Sequence, residues 1–319
     1  MEITIWAWIA FHAVIFLVLA LDLGIINRQP HRISAREAGV WTLVWVTLSL
    51  MFNGLIWLWR GPEDALNFLT GYLVEYALSV DNIFVFVLLF NYFRVPPQYQ
   101  HRVLFWGILG ALIMRGSMIL LGAALIERFD WLIYLFGAFL LVTGGRLLFH
   151  DNDPDVNPQH NPLARLARRI LPITPELRGD RFFVREAGRL SATPLFLVLL
   201  IVESTDLLFA VDSIPAIFGI THDPFIVYTS NICAILGLRS LYFLLASMLA
   251  SFYYLRFGLA IILSFIGVKM LTPLVTGWFL GGHGWHIPTT VSLAVIAMTL
   301  LVSMVASIIR SHRLAAATD

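Results

Sequence analysis

Nine apolar runs, each long enough to cross a hydrocarbon core of about 30 Å as a helix, leave this chain few alternatives to a membrane-embedded helical bundle. They fall near residues 5–26, 40–59, 66–93, 103–126, 131–149, 193–218, 225–249, 255–276 and 287–309. Within a bilayer every backbone N–H and C=O must be bonded inside the protein, and a helix does this segment by segment. Composition agrees: 59% of the 319 residues are apolar and 13% are charged, with mean hydropathy +0.82. An ordinary soluble domain carries about 25% charged residues. The predicted fold class is an all-α membrane protein with nine transmembrane helices. The start, Met-Glu-Ile-Thr-Ile-Trp, lacks the basic stretch of a cleavable signal peptide, so the first run reads as a retained helix.

Arginine placement sets the expected orientation, because basic residues favour the cytoplasmic side. Arg28, Arg32 and Arg36 fall in the first connection, Arg94 and Arg102 in the third, Arg256 in the seventh, and Arg310 and Arg313 in the tail. The fifth connection, about 150–192, is the most basic, from Arg165 to Arg189. The intervening connections hold only Arg60 and Arg128. The N-terminus is expected outside and the C-terminus in the cytoplasm. The 150–192 stretch reads as a positive-inside loop joining two halves, in which 163–171 has the pattern of a short amphipathic helix against the inner surface. Cys233 is the only cysteine, which excludes an intramolecular disulfide framework or a thiolate cluster.

Two acidic segments interrupt the apolar runs. Glu75-Tyr-Ala-Leu-Ser-Val-Asp81-Asn82-Ile and Asp206-Leu-Leu-Phe-Ala-Val-Asp212-Ser213-Ile share one pattern: acid, five residues ending in Val, Asp, a small polar residue, Ile. A carboxylate near the bilayer midplane is costly and marks a functional site by default. Glu203, three residues before Asp206, falls on the same helical face. The likeness extends further. The stretch around Arg115 matches that around Arg239, and Gly144-Gly-Arg146 matches Gly267-Val-Lys269, in the same order. Repeat A covers about 66–149 and repeat B about 193–276, flanked by helices within 5–59 and 287–309, all in a single transmembrane domain. Three spans per copy is an odd number, so the copies are expected to enter the membrane from opposite sides. Transporters use such inverted repeats to build a midplane site.

In an unbroken helix residues six apart differ by about 240° in direction, so Glu75 and Asp81 would not share a face, nor would Asp206 and Asp212. Pro215 predicts a break in the second copy, freeing the Val211 carbonyl as an oxygen ligand. Asp81-Asn82 could cap a restarted half-helix in the first copy. Arg115, Arg239 and Lys269 are the deep bases opposing the five acids. Carboxylates, Asn82, Ser213 and backbone carbonyls are hard oxygen donors that suit Mn²⁺, Mg²⁺ or Ca²⁺. Ser230-Asn231 could add oxygens or bridge helices. His12, a lone imidazole within a span, reads as a hydrogen-bonded residue rather than a ligand.

At these segments the chain resembles the TerC family of bacterial integral membrane proteins, especially its Alx branch. Glu75-Tyr-Ala-Leu-Ser-Val-Asp-Asn-Ile-Phe-Val-Phe, Phe182-Phe-Val-Arg and Ala210-Val-Asp-Ser-Ile-Pro-Ala-Ile-Phe carry the likeness, and the run from Asp223 through Arg239 continues it. The resemblance implies a relative of LysE-type transporters, with Mn²⁺ efflux as the activity and Glu75, Asp81, Glu203, Asp206 and Asp212 as the intramembrane acids. A tellurite oxyanion would suit an acid-lined site poorly. The expectation is thus a transporter, not an enzyme, acting by alternating access. It would have no resident cofactor, and its partners would be a divalent cation, the lipid bilayer and protons as counter-ion, with no nucleic acid. A transporter of another hard cation such as Ca²⁺, or a membrane scaffold acting through the basic connection, are the alternatives.

Overall fold

The computed structural model describes residues 5–21, 34–149, 161–186, 189–246, 253–279 and 285–316. Helices α1 (Ile5–Leu21), α2 (Ala35–Arg60), α3 (Pro62–Tyr92), α4 (Pro97–Arg128) and α5 (Leu132–Phe149) precede the long connection. That connection holds α6 (Pro162–Ile170) and a hairpin of β1 (Phe183–Glu186) and β2 (Arg189–Ala192). Helices α7 (Pro194–Phe218), α8 (Pro224–Leu245), α9 (Leu255–Phe279) and α10 (Thr289–Ala316) follow. The protein is thus predominantly helical, with one small antiparallel ribbon that the apolar pattern did not reveal. Among the described residues eight helices are long and apolar enough to cross a membrane. The ninth candidate, α1, is described over 17 residues and is shorter than the rest.

Helix starts follow local chemistry. Proline occupies the first turn of α3, α4, α6, α7 and α8, where its missing N–H costs nothing. Asp223 accepts from the backbone N–H groups of Phe225 and Ile226 and so caps α8. Gly61, at φ +99°, turns α2 directly into α3, a backbone angle that disfavours any side chain. Arg60 secures this corner, bonding Asp64 at 2.7 Å and Asp223 at 2.5 Å.

Helix α8 forms the centre and is buried along its whole apolar stretch. Helix α3 contacts α8 while α4 contacts α7, and α5 lies along α9. Glycines set the last of these seams. A Cβ on Gly267 would sit 2.7 Å from the Gly137 carbonyl, and one on Gly144 would sit 2.8 Å from the Ala260 carbonyl. Close backbone approach through small residues is how helices pack when lipid supplies no hydrophobic drive.

One expectation requires correction. Helices α3 and α7 run unbroken through the acidic segments, with Pro215 inside α7. Pro215 cannot bond the carbonyl of Val211, yet the helix runs on through it to Phe218. The Val211 side chain is 43% exposed, on the outer side of α7, and Pro215 has no N–H to give its carbonyl. The amphipathic segment forms a helix as expected, and it packs beside α7. Asn161, which caps α6, donates to Ser204 Oγ at 2.7 Å, and Ala164 and Ala167 are buried.

Candidate functional site

Helices α3, α4 and α7 bring charged groups to one buried point. Arg115, on α4, is wholly inaccessible. Its Nε and Nη2 donate to the two carboxylate oxygens of Asp206 at 3.0 and 2.7 Å, a bidentate pair. Its Nη1 donates to Glu75 Oε1 and, at 3.3 Å, to Ser213 Oγ. Asn231 Nδ2 donates to Glu75 Oε2 at 2.9 Å, and Asn82 Nδ2 reaches Asp206 Oδ1 at 3.4 Å. Each acid therefore takes an amide from the other half of the chain: Asn82 of α3 serves Asp206 of α7, and Asn231 of α8 serves Glu75 of α3.

Counted as fully ionised, two carboxylates against one guanidinium give Glu75, Asp206 and Arg115 a formal charge of −1, and the buried Arg239 lines a gap with Asp206. Burial of such charge is tolerated only with full pairing. Beside it stand three buried oxygens with no hydrogen-bond partner: Asn82 Oδ1, Asn231 Oδ1 and Ser79 Oγ. Unpaired buried acceptors are rare and each calls for an explanation. All are hard donors, and no thiolate or imidazole is among them.

The remaining sequence candidates divide. Glu203 is half-buried, and its carboxyl group rests against Gly110 of α4, in the place a Cβ there would occupy. Asp212 is also half-buried and does not join the Arg115 cluster. The reason is the unbroken helix: six residues on, the side chain has turned away from the Asp206 face. The side chain of Asp81 lies outside the described residues. Among the described residues no three His, Cys, Asp or Glu side chains converge as a metal site. Arg239 is buried on α8 and lines, with Asp206, a narrow gap.

Lys269 does not oppose the central acids. It lines a separate cavity of about 1240 Å³ between the first turns of α3 and α8 and the last turns of α4 and α7. Glu63, Asn67, Glu127, Asp130 and His222 share that lining. Burial, with Lys269 and His286 nearby, holds His222 below its ordinary range. The opposite end of the bundle is filled by Val80, Ile83, Phe86, Leu197, Val198 and Leu241. His12 is hydrogen-bonded as expected, to Tyr228 Oη and the Trp8 carbonyl, both at 2.8 Å. Ser79 escaped the sequence reading, although its place four residues after Glu75 was a usable signal.

The profile of the integral membrane protein TerC family matches residues 60–315, a stretch that includes every acid just described. The chain belongs to the TerC family. It is 52% identical over 306 residues to the "Uncharacterized membrane protein STKORF319" of Myxococcus xanthus, covering 96% of this chain and 92% of the other. It is 47% identical over 308 residues to the "Putative membrane-bound redox modulator Alx" of Escherichia coli strain K12, covering 93% and 92%. An "Uncharacterized membrane protein" of Rickettsia bellii is 41% identical over 306 residues. No solved structure matches this TerC protein significantly.

Proposed function

We propose that this TerC protein exports a hard divalent cation, Mn²⁺ foremost, from the bacterial cytoplasm by alternating access. The observation that carries the reading is the meeting of Glu75 and Asp206, from opposite halves of the chain, in a buried cluster of net negative charge with spare oxygen donors. A cation at this point would have both carboxylates within reach once Arg115 moved aside. Arg115 is then the resident counter-charge, holding the acids ready and exchanging with the ion. Proton antiport follows the same logic, since buried acids can trade a proton for a metal ion, and Glu203 and Asp212 stand along α7 for that role.

The helix contacts support reading α3–α5 and α7–α9 as inverted repeats. An axis relating them would exchange the α3–α8 and α4–α7 contacts and map the α5–α9 seam onto itself. With α1 as the ninth span and the N-terminus outside, the large cavity opens outward. The acids then lie behind a closed cytoplasmic end. Ca²⁺ is the competing cargo, because an all-oxygen donor set admits both ions.

The test is Mn content in cells challenged with Mn²⁺. Cells making the protein should hold less Mn than cells lacking it, and Asp206→Asn or Glu75→Gln should abolish the difference at unchanged protein level. Equal Mn content with and without the protein would sink the proposal. Lowered Ca²⁺ with unchanged Mn²⁺ would redirect it.

A further inference from the structure

We infer that one face of α3 is the route by which the cation passes between the carboxylate pair and the outer cavity, with Asn67 as an intermediate oxygen ligand. This rests on the transport reading above. Glu63, Asn67, Gly71, Glu75 and Ser79 recur at every fourth residue. On a helix such residues form one inclined row with steps of about 6 Å along the axis.

The structure places each step of the row. Glu63 and Asn67 line the large cavity. Asn67 is only 7% exposed, and its Oδ1 has no hydrogen-bond partner. A buried amide oxygen left unpaired beside a cavity is poised for a ligand that supplies positive charge. At the next step inward the side chain is missing. A Cβ on Gly71 would sit 2.8 Å from Ser230 Oγ and 3.3 Å from Ile217. The row is closely packed at this step, and the Ser230 hydroxyl stands against the Gly71 backbone in the place a side chain would take, so an oxygen occupies the step between Asn67 and Glu75. One turn deeper Glu75 joins the Arg115 cluster, and beyond it Ser79 Oγ is again unpartnered.

The electrical setting agrees. At the cavity, Glu63, Glu127 and Asp130 outnumber Lys269 by two formal negative charges when histidines are counted as neutral. His222, held below its ordinary range by burial and by the nearby Lys269 and His286, adds little positive charge near neutral pH. The row thus runs from a cation-attracting vestibule to the central acids past hard oxygen donors, with Ile217 as the apolar neighbour at Gly71.

The test separates binding from passage. Purified wild-type protein, Asn67→Leu and Gly71→Ala would be compared for Mn²⁺ binding by electron paramagnetic resonance and for Mn²⁺ flux in liposomes. Both variants keep Glu75 and Asp206, so Mn²⁺ binding at that central pair should persist while flux falls about tenfold or more, the loss typical of removing a group that supports a metal site. Wild-type flux in both variants would overturn the route. Should either variant prove unstable, Asn67→Cys in a Cys233→Ala background supplies a second readout. Its thiol should react with a membrane-impermeant reagent added outside, more slowly when Mn²⁺ is present. A thiol that is unreactive, or whose reaction Mn²⁺ does not slow, would overturn the inference. Wild-type protein that neither binds nor moves Mn²⁺ would bring down the transport reading itself, and this route with it.

Discussion

Arg115 has a clear energetic role, because it is the group that holds two buried carboxylates apart from water. Removing one member of a buried, paired cluster costs about 3–5 kcal/mol, since the partners are left charged and unpaired. Arg115→Gln should therefore lower the thermal unfolding midpoint in detergent. Adding Asp206→Asn to it should restore part of the loss, because the second change removes the orphaned charge. Additive losses would show that the cluster is not coupled. The acids, Asn82, Ser213, Asn231 and Arg115 were all legible as polar residues in apolar runs. Their partners were not, since Arg115 lies 40 positions from Glu75 and 91 from Asp206 along the chain.

At the scale of elements, the α5–α9 seam and the α6 anchor are the joints most open to test. Ala260 contributes backbone to the Gly144 contact, and backbone cannot swing aside as a side chain can. Gly144→Ala should cost about 1–3 kcal/mol, the range for overpacking a tight core, seen as a lower unfolding midpoint. Gly110→Ala makes an instructive contrast. The atom it meets is the free end of Glu203, so stability should hold while the carboxylate is displaced. A similar loss at both positions would refute the distinction. Asn161→Ala removes both the cap of α6 and its bond to Ser204, worth about 0.5–2 kcal/mol for the cap alone. Faster proteolysis in the 150–192 connection is the expected outcome, and wild-type resistance would argue against the anchor.

For the molecule as a whole, the contact pattern makes a directional prediction. One end of the bundle holds the cavity beside Glu63 and Asp130, and the other holds the apolar plug around Phe86 and Leu241. In a Cys233→Ala background, Asp130→Cys should react with an impermeant thiol reagent from outside, and Arg178→Cys only from the cytoplasm. Labelling of both from one side would overturn the proposed orientation.

The sequence by itself determined the membrane class, the positions of the apolar helices and the buried acids. Those follow from local composition, since a run of about twenty apolar residues and a rare carboxylate within it are each visible without neighbours. Only the tertiary structure decided which acids meet. Periodicity showed that residues six apart on an unbroken helix diverge, but not whether Pro215 would break α7. The helix continues through it to Phe218. Hence Glu75 and Asp206 meet across the bundle at Arg115, while Asp212 does not join them. Lys269, aligned by the repeat with Arg146 and expected to oppose the acids, lines the large cavity instead, on an α9 whose Gly267 packs tightly against α5. Spatial partnership between helices is set by small residues and close backbone approach, and neither is encoded in the spacing of any one segment.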